Sequence, residues 1–310
     1  MTTPDAGTGA TLEEHRKLLW GLSYRLTGSA ADADDIVQET FLRALEKPPH
    51  DTTRPWKPWL VKVATHIGID RLRRRKEVPY TGPWLPSLIE TPPGELEPVA
   101  DGPLPEDRFL MSESITIAFL LALEVLSPKQ RAVLLLRDVF DYSVAETALA
   151  LEISEADVKT THHRARALME PYSQRRVVPD RQLAQQVQSA LGNFMSCLMN
   201  RDTAGMEKLL AADIRVLSDG GGEFNAARVP VTGVSRVVKF YLNLMKTYTG
   251  QMGVSLKWLN GLPAVITNFS NGRPGDPPRS VLQCDMDANG RIREIHAILA
   301  SRKLAALGLP

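Results

Sequence analysis

Residues 127–169 constrain this chain more than any other stretch. Ser127 followed by Pro128 reads as an N-cap with proline at the first helical position, where its missing N–H costs nothing. The apolar spacing predicts a helix from there to about Val139. Ser143 and Ser154 cap two further helices, Val144–Leu151 and Glu155 to about Glu170, with Pro171 just beyond the last. Helix, turn and a second helix bearing cations is the pattern of a chain that lays one helix in a DNA major groove. On that second helix Lys159, Thr160, His163 and Arg164 share one exposed stripe, while Val158, Ala165 and Leu168 face inward. Lysine and arginine donate to guanine or phosphate, and threonine meets a thymine methyl or a phosphate. A solvated amphipathic helix has the same spacing, so the stripe alone leaves both readings open.

A second basic module lies upstream. Leu12, Leu18, Leu19, Leu22 and Leu26 recur at helical spacing, with Gly28 as the stop. Ser29 then caps a helix over 30–46 that turns Ile36, Val37, Phe41, Leu42 and Leu45 inward and Asp34, Asp35, Gln38, Glu39 and Arg43 outward. The loop KPPHDTTRP leads to a third helix, 56–76, which packs Trp59, Leu60, Val63, Ala64 and Ile67 and then becomes basic. Arg71, Arg73, Arg74, Arg75 and Lys76 put five cations into six residues. Cations suit the negative pole of a helix, but this density exceeds what a helix end needs and favours phosphate tracking. The formal net charge of +1 conceals this patterning.

Residues 77–107 are dense in proline and read as a linker. Its one apolar island is Trp84-Leu85-Pro86, and a linker tryptophan calls for a docking place. Helix resumes near Phe109 and runs to about Leu126. Past Arg181 the pattern changes: helices over 183–200 and 203–210, then strand-like runs at 214–218, 253–259, 264–269, 279–286 and 292–299, with a helix over 234–247 among them. Asp287-Ala288-Asn289-Gly290 is a hairpin turn signal. Helices followed by mostly antiparallel strands make an α+β domain. Asp219-Gly220-Gly221-Gly222 is either a plain hairpin turn or a place where another segment packs on bare backbone.

Several classes are excluded. The two cysteines, Cys197 and Cys284, lack metal-ligand spacing and read as free thiols rather than a disulfide. The N-terminus has no signal-peptide pattern and no run of 18 apolar residues occurs, so no membrane association and a cytoplasmic location are expected. No nucleophile motif, phosphate loop or metal cluster is visible, so neither cofactor nor metal is expected. Asp213, Asp219, Asp285 and His296 are the acid–base types available in the last domain. His296 reads as structural, and the chain reads as no enzyme.

TGSAADADDIVQETFLRAL (27–45), WLVKVATHIGIDRLRRRK (59–76) and the 127–169 segment together resemble the extracytoplasmic-function group of bacterial RNA polymerase sigma factors. The resemblance implies two all-α sigma domains that bind core RNA polymerase and promoter DNA and start transcription. It places Asp35, Gln38, Glu39 and Arg43 on the polymerase clamp. It puts His50, Arg54, His66, Asp70, Arg71, Arg73, Arg74, Arg75 and Lys76 on the single-stranded −10 element, and Lys159, Thr160, His163 and Arg164 on the −35 duplex. Glu152 stands at the helix–helix turn where many relatives carry glycine. FMSCLMNRDTAGMEKLLAADIRVLSDGGGEF and NGLPAVI resemble a SnoaL-like cone-shaped α+β domain, a fusion known from the sigma-J type. That group carries a Trp-Leu-Pro linker motif, a DGGG motif followed by a basic residue, and a C-terminal motif ending in Lys-Leu. Here Glu223 follows the glycines, and only Lys303-Leu304 of the last motif remains.

The expected organisation is sigma domain 2 over 1–76, linker 77–107, sigma domain 4 with the helix-turn-helix over 108–175, and the SnoaL-like domain over 181–303. That last domain is expected to regulate in cis, with Trp84, Leu85, Pro86, Asp219, Gly220, Gly221 and Gly222 as the interdomain contacts and an unnamed small molecule as its ligand. The alternative is a helix-turn-helix regulator that never joins polymerase, with a ligand-sensing or enzymatic C-terminal domain.

Overall fold

A computed structural model describes residues 6–49, 51, 53–91, 113–176, 179–247, 251–270 and 272–308. The chain forms two units, residues 1–79 with 119–177, and residues 80–118 with 178–310.

The first unit is helical: α1 (Ala6–Thr27), α2 (Ala30–Glu46), α3 (Lys57–Glu77), α4 (Ile117–Ala122), α5 (Pro128–Leu134), α6 (Val144–Leu151) and α7 (Glu155–Ser173). Its boundaries follow local chemistry. Gly28 takes φ 68° after α1, and the Ser29 side chain accepts from Asp32 N at the start of α2. Ser127 and Ser143 each close a reciprocal capping box, with Gln130 and Glu146, and Ser154 accepts from Asp157 N. Leu19, Leu22, Leu26, Ile36, Val37 and Leu60 form a core among α1, α2 and α3. Gly68 lets α3 lie against α1, since a Cβ there would stand 2.5 Å from Leu26 Cδ2.

The structure corrects several sequence expectations. Leu42 and Leu45 are exposed, because the buried stripe of α2 runs through Ala33, Ile36, Val37, Thr40 and Ala44 and both leucines fall off it. Leu168 is exposed too; Met169 takes the inward place after Val158, Thr161 and Ala165. Helix α7 passes through Pro171, which forfeits only its own N–H bond, and the ladder resumes with Gln174 N on Glu170 O. Helix α4 begins at Ile117, and the expected helical start near Phe109 lies outside the described residues. After α5 the chain widens into a π turn over Leu135–Val139, with Phe140 N on Leu135 O.

The second unit holds α8 (Arg181–Met199), α9 (Thr203–Leu209), α10 (Val234–Thr247), α11 (Ser301–Leu304) and strands β1 (Leu210–Asp219), β2 (Val231–Thr232), β3 (Gln251–Leu259), β4 (Leu262–Ser270), β5 (Arg279–Met286) and β6 (Ile292–Ile298). The sheet order is β2-β1-β6-β5-β4-β3, antiparallel except for the parallel β1–β6 pair. Asn260 (φ 49°) and Gly261 (φ 81°) make the two-residue turn between β3 and β4. Strands β1, β3 and β4 reach further than their apolar runs, and the short edge strand β2 has no sequence signal, because ladder pairing rather than side-chain pattern defines them.

Alternation splits the sheet into two faces. Val216, Ile295, Ala297, Leu282, Cys284 and Val265 face α8 and α10, where Val187, Leu191, Phe194, Val237 and Tyr241 complete one core. Asp219, Glu294, His296, Gln283 and Asp285 point to the other face. Both cysteines are free thiols. No helix among the described residues is long and apolar enough to cross a membrane.

Candidate functional site

Three groups of residues carry the chemistry expected from the sequence. The first is the exposed side of α7. Lys159, Thr160, His163 and Arg164 all reach solvent together. Thr160 Oγ1 donates to Ala156 O (2.9 Å), and Lys159, His163 and Arg164 make no ion pair among the described residues. The helix is braced from behind. Asp138 accepts from Arg166 (2.8 and 3.0 Å) and stands 2.7 Å from His162 Nε2. Burial works to raise the Asp138 carboxyl, but His162 and Arg166 outweigh it and hold the group below the usual carboxylate range.

The second group is α2 with the basic end of α3. Asp35, Gln38 and Arg43 are exposed, and Glu39 is half-buried and pairs with Arg43 at 2.6 Å. Leu42 and Leu45 stand exposed beside them. The α3 cations divide. Arg71 turns back onto α2, within 3.3 Å of Asp32 and 3.0 Å of Asp35. Arg75 donates to Thr27 O (2.8 Å) and to both oxygens of Glu124 (2.8 and 2.7 Å). Glu124 also receives Arg131 (3.0 Å), which is 2% exposed and donates further to Leu26 O and Leu123 O. Arg73, Arg74 and Lys76 are exposed, and Arg73 pairs with exposed Asp70.

His66 lies 3.6 Å from Glu152, whose carboxylate also accepts from Lys62 at 2.7 Å. Glu152 builds the helix–helix turn in the left-handed region (φ 54°), a conformation that costs a residue with a Cβ. Arg54 is exposed and pairs with Asp51, and His50 lies outside the described residues. The composition of the 71–76 run says nothing of this division, because the partners Asp32, Thr27 and Glu124 are remote in sequence.

The third group lies within the second unit, where residues 80–91 run along the sheet domain without a strand of their own apart from the bridge Glu90–Leu259. Asp219 is its centre and is fully buried. Its carboxylate accepts from Tyr80 Oη (2.5 Å), Leu85 N (2.7 Å), Gly221 N (2.9 Å) and Lys303 Nζ. Lys303 also donates to Leu85 O, and its ammonium lies over the rings of Trp84 (4.6 Å) and Tyr80 (4.8 Å). Leu85, Pro86, Ser87 and Leu88 are buried.

The glycines serve this clasp. Gly221 takes φ 63°, and a Cβ there would stand 2.8 Å from Ala300 Cβ. Glu223, where a basic residue was expected, accepts from Ser301 N at 3.3 Å. Further along, Asn260 exchanges two 3.0 Å bonds with Ile89 and donates to Ile115 O (2.7 Å). Sequence reading missed Asn260, although Asn-Gly is a strong turn signal, and missed Tyr80, for which no local signal exists.

Of the four acid–base residues named from the sequence of the last domain, His296 and Asp285 come together. His296 is fully buried on the Asp219 side of the sheet, with Nε2 2.9 Å from Glu294 and 4.0 Å from Asp285. Although no metal-ligand spacing is visible in the sequence, these three bring ligating atoms within 4.8 Å of one another. Burial works against charge on His296, but Asp285 and Glu294 outweigh it and lift the imidazole above its usual range. Burial raises the Asp285 carboxyl. The trio pairs with Arg215 through Glu294. Asp213 is exposed at the far end of β1.

Residues 11–78 match the Sigma-70 region 2 family and residues 116–169 match Sigma-70, region 4. The chain is similar to the ECF RNA polymerase sigma factor SigJ of Mycobacterium tuberculosis, 32% identical over 268 residues that cover 85% of this chain and 81% of the relative. It is similar over 324 residues to SigG of the same organism, again 32% identical, covering 97% and 83%. Among solved structures it resembles the crystal structure of the Mycobacterium tuberculosis extracytoplasmic function sigma factor SigJ, with TM-score 0.70, 27% identity and coverage of 97% of this chain and 99% of that one.

Proposed function

This chain belongs to the ECF RNA polymerase sigma factors, with a SnoaL-like domain at its C-terminal end, and on that premise we propose how its parts divide the work. Residues 1–76 and 108–175 act as the two promoter-binding domains, 77–107 as the linker and 181–303 as a regulator in cis. The outer face of α2, with Asp35, Gln38, Glu39 and Arg43, seats on core polymerase; the exposed Leu42 and Leu45 beside it suit a partner surface. Lys159, Thr160, His163 and Arg164 read the −35 duplex. Arg73, Arg74 and Lys76 track the −10 strand directly, with His50, Arg54, His66 and Asp70 lining its path. Arg71 and Arg75 join only after leaving Asp35 and Glu124. Work on polymerase places the protein in the cytoplasm.

One observation carries the regulatory part: the segment that links the two promoter-binding domains in sequence is held by Asp219 and Lys303. Trp84, Leu85 and Pro86 are its docking residues, and Gly220, Gly221 and Gly222 let the Asp219 loop close on it. The clasp restrains the linker, and its release frees the two domains to span a promoter. The C-terminal domain acts as a holding and sensing module rather than an enzyme, since His296 and its carboxylates are paired with one another.

The test is run-off transcription with reconstituted polymerase, comparing the full chain with Lys303→Met. Release of the linker predicts faster amide exchange over 81–91 and a several-fold higher transcript yield. Equal yield together with faster exchange would refute regulation through the linker.

A further inference from the structure

On the face of the sheet that carries Asp219, two neighbouring strands bring together one imidazole and two carboxylates. Glu294 and His296 are alternate residues of β6, so both point to this face, and Asp285 on β5 is the direct cross-strand partner of Glu294. We propose that Asp285, Glu294 and His296 form a binding site for a divalent transition-metal ion of the zinc type, which cross-links β5 and β6.

The geometry is that of a ligand set. His296 Nε2 is aimed between the carboxylates, 2.9 Å from Glu294 Oε1 and 4.0 Å from Asp285 Oδ2, and the ligating atoms of all three lie within 4.8 Å of one another. Ligands held by one zinc ion in a tetrahedron stand roughly 3.3–3.6 Å apart, so shifts of about 1 Å or less close these three around a single ion. Imidazole with carboxylates suits zinc and its first-row neighbours, whereas calcium and magnesium call for oxygen alone. The ladder is bent at this place. Asp285 pairs with Glu294 and Met286 with Ile292, which leaves Arg293 as the extra residue of a bulge, a device that re-aims side chains.

Without an ion the cluster is incompletely paired. Two carboxylates stand directly opposite each other, an arrangement that repels. Glu294 is compensated, because its other oxygen accepts from Arg215. Asp285 makes no hydrogen bond among the described residues, and His296 at 4.0 Å is beyond its reach. The imidazole is fully buried and its Nδ1 has no partner, so the two carboxylates are the only polar groups that orient the ring. An ion on Nε2 supplies the counter-charge that Asp285 lacks. Arg215 then stands behind Glu294 as metal-bound carboxylates are commonly held, by a hydrogen bond from outside the ligand set. The Asp285 side chain is 23% exposed, which gives the ion a way in and leaves a coordination position to water.

The sequence hides this set because Glu-x-His is too short to be a motif and the third ligand comes from across a hairpin. Strand β6 runs on into Leu299 and Ala300, whose N–H groups both donate to Asp219 O (2.8 and 3.1 Å). An ion that fixes β6 therefore also steadies the backbone from which Asp219 reaches Leu85 and Lys303.

The probe for the test is cobalt(II), whose visible d–d bands report its ligands and which zinc displaces, titrated into the full chain after a chelator has been applied and removed. Saturation at one cobalt per chain is expected, with the bands of a four- or five-coordinate ion that fade as zinc is added. Asp285→Asn and His296→Gln should each weaken cobalt binding at least about tenfold. Asp285→Asn alters a partly exposed side chain, so it decides the matter if His296→Gln fails to fold. Zinc should raise the thermal midpoint of the parent chain and leave that of Asp285→Asn where it was. Cobalt that binds without saturation, or binds Asp285→Asn as tightly as the parent chain, overturns the site, as does a zinc-induced rise of equal size in both proteins.

Discussion

The exposed stripe of α7 and the basic end of α3 use the same residue types and are assigned the same kind of partner, but their surroundings differ. Lys159, His163 and Arg164 stand free of ion pairs among the described residues, behind a brace of Asp138, His162 and Arg166. On α3 two of five cations are already committed: Arg71 to Asp32 and Asp35, Arg75 to Glu124 and Thr27 O. Charge density along a helix therefore overstates the charge offered to nucleic acid. A carboxylate brought near by the fold neutralises a cation without removing it, and the pair must break before the cation can meet a phosphate.

The largest expected effect tests the committed cations. Glu124→Gln leaves the nearly fully buried Arg131 and the partly buried Arg75 without their shared carboxylate, and should destabilise the first unit by about 3 kcal/mol. Urea denaturation followed by helical circular dichroism measures this. Arg73→Ala, which breaks only an exposed pair, serves as the control and should leave the midpoint where it was. An equal shift in both variants would erase the distinction between the two kinds of cation.

The next effect tests the free stripe. Arg164→Ala should cost the holoenzyme about 1–3 kcal/mol of preference for the cognate −35 duplex over a scrambled one, with no change in stability. Neutralising Arg73, Arg74 and Lys76 together should instead weaken binding to every sequence. It should flatten the log–log salt slope by roughly 0.7 for each single-strand phosphate that is no longer neutralised. If Arg164→Ala acts equally on both duplexes, the stripe holds phosphates and does not read bases.

The smallest effect concerns the brace. Asp138 sits below its ordinary carboxylate value in the folded state. Its contribution is thus present above the unfolded value and is lost as pH falls through the folded one, below about pH 4. Asp138→Asn should reduce stability at neutral pH by a fraction of the Glu124→Gln effect and flatten the acid limb of the stability profile. An acid limb parallel to that of the parent protein would show that His162 and Arg166 do not hold this carboxylate.

Much of the fold is legible in the sequence because its signals are local. Ser29, Ser127, Ser143 and Ser154 cap their helices, Gly28 ends one, and Asp287–Gly290 turns a hairpin, each through groups within four residues of one another. Of the site residues, the α7 stripe emerges together for the same reason, since helical spacing alone fixes a shared face. Leu168 and Leu42 were misread because apolar residues also sit on exposed faces, and only the packed neighbours reveal which leucine is covered.

Read without any fold, the residues show most of the helices and their caps, that two basic modules flank a proline-rich stretch, and which family the chain resembles. Only folding reveals that Arg75 belongs to Glu124, that Asp219 is held by Tyr80, Leu85 and Lys303, and that His296 meets Glu294 and Asp285. The physical reason is reach. Caps, turns and helix faces are set by atoms a few bonds apart along the chain. An ion pair spanning 84 residues, such as Asp219 with Lys303, exists only once the whole domain has closed around it.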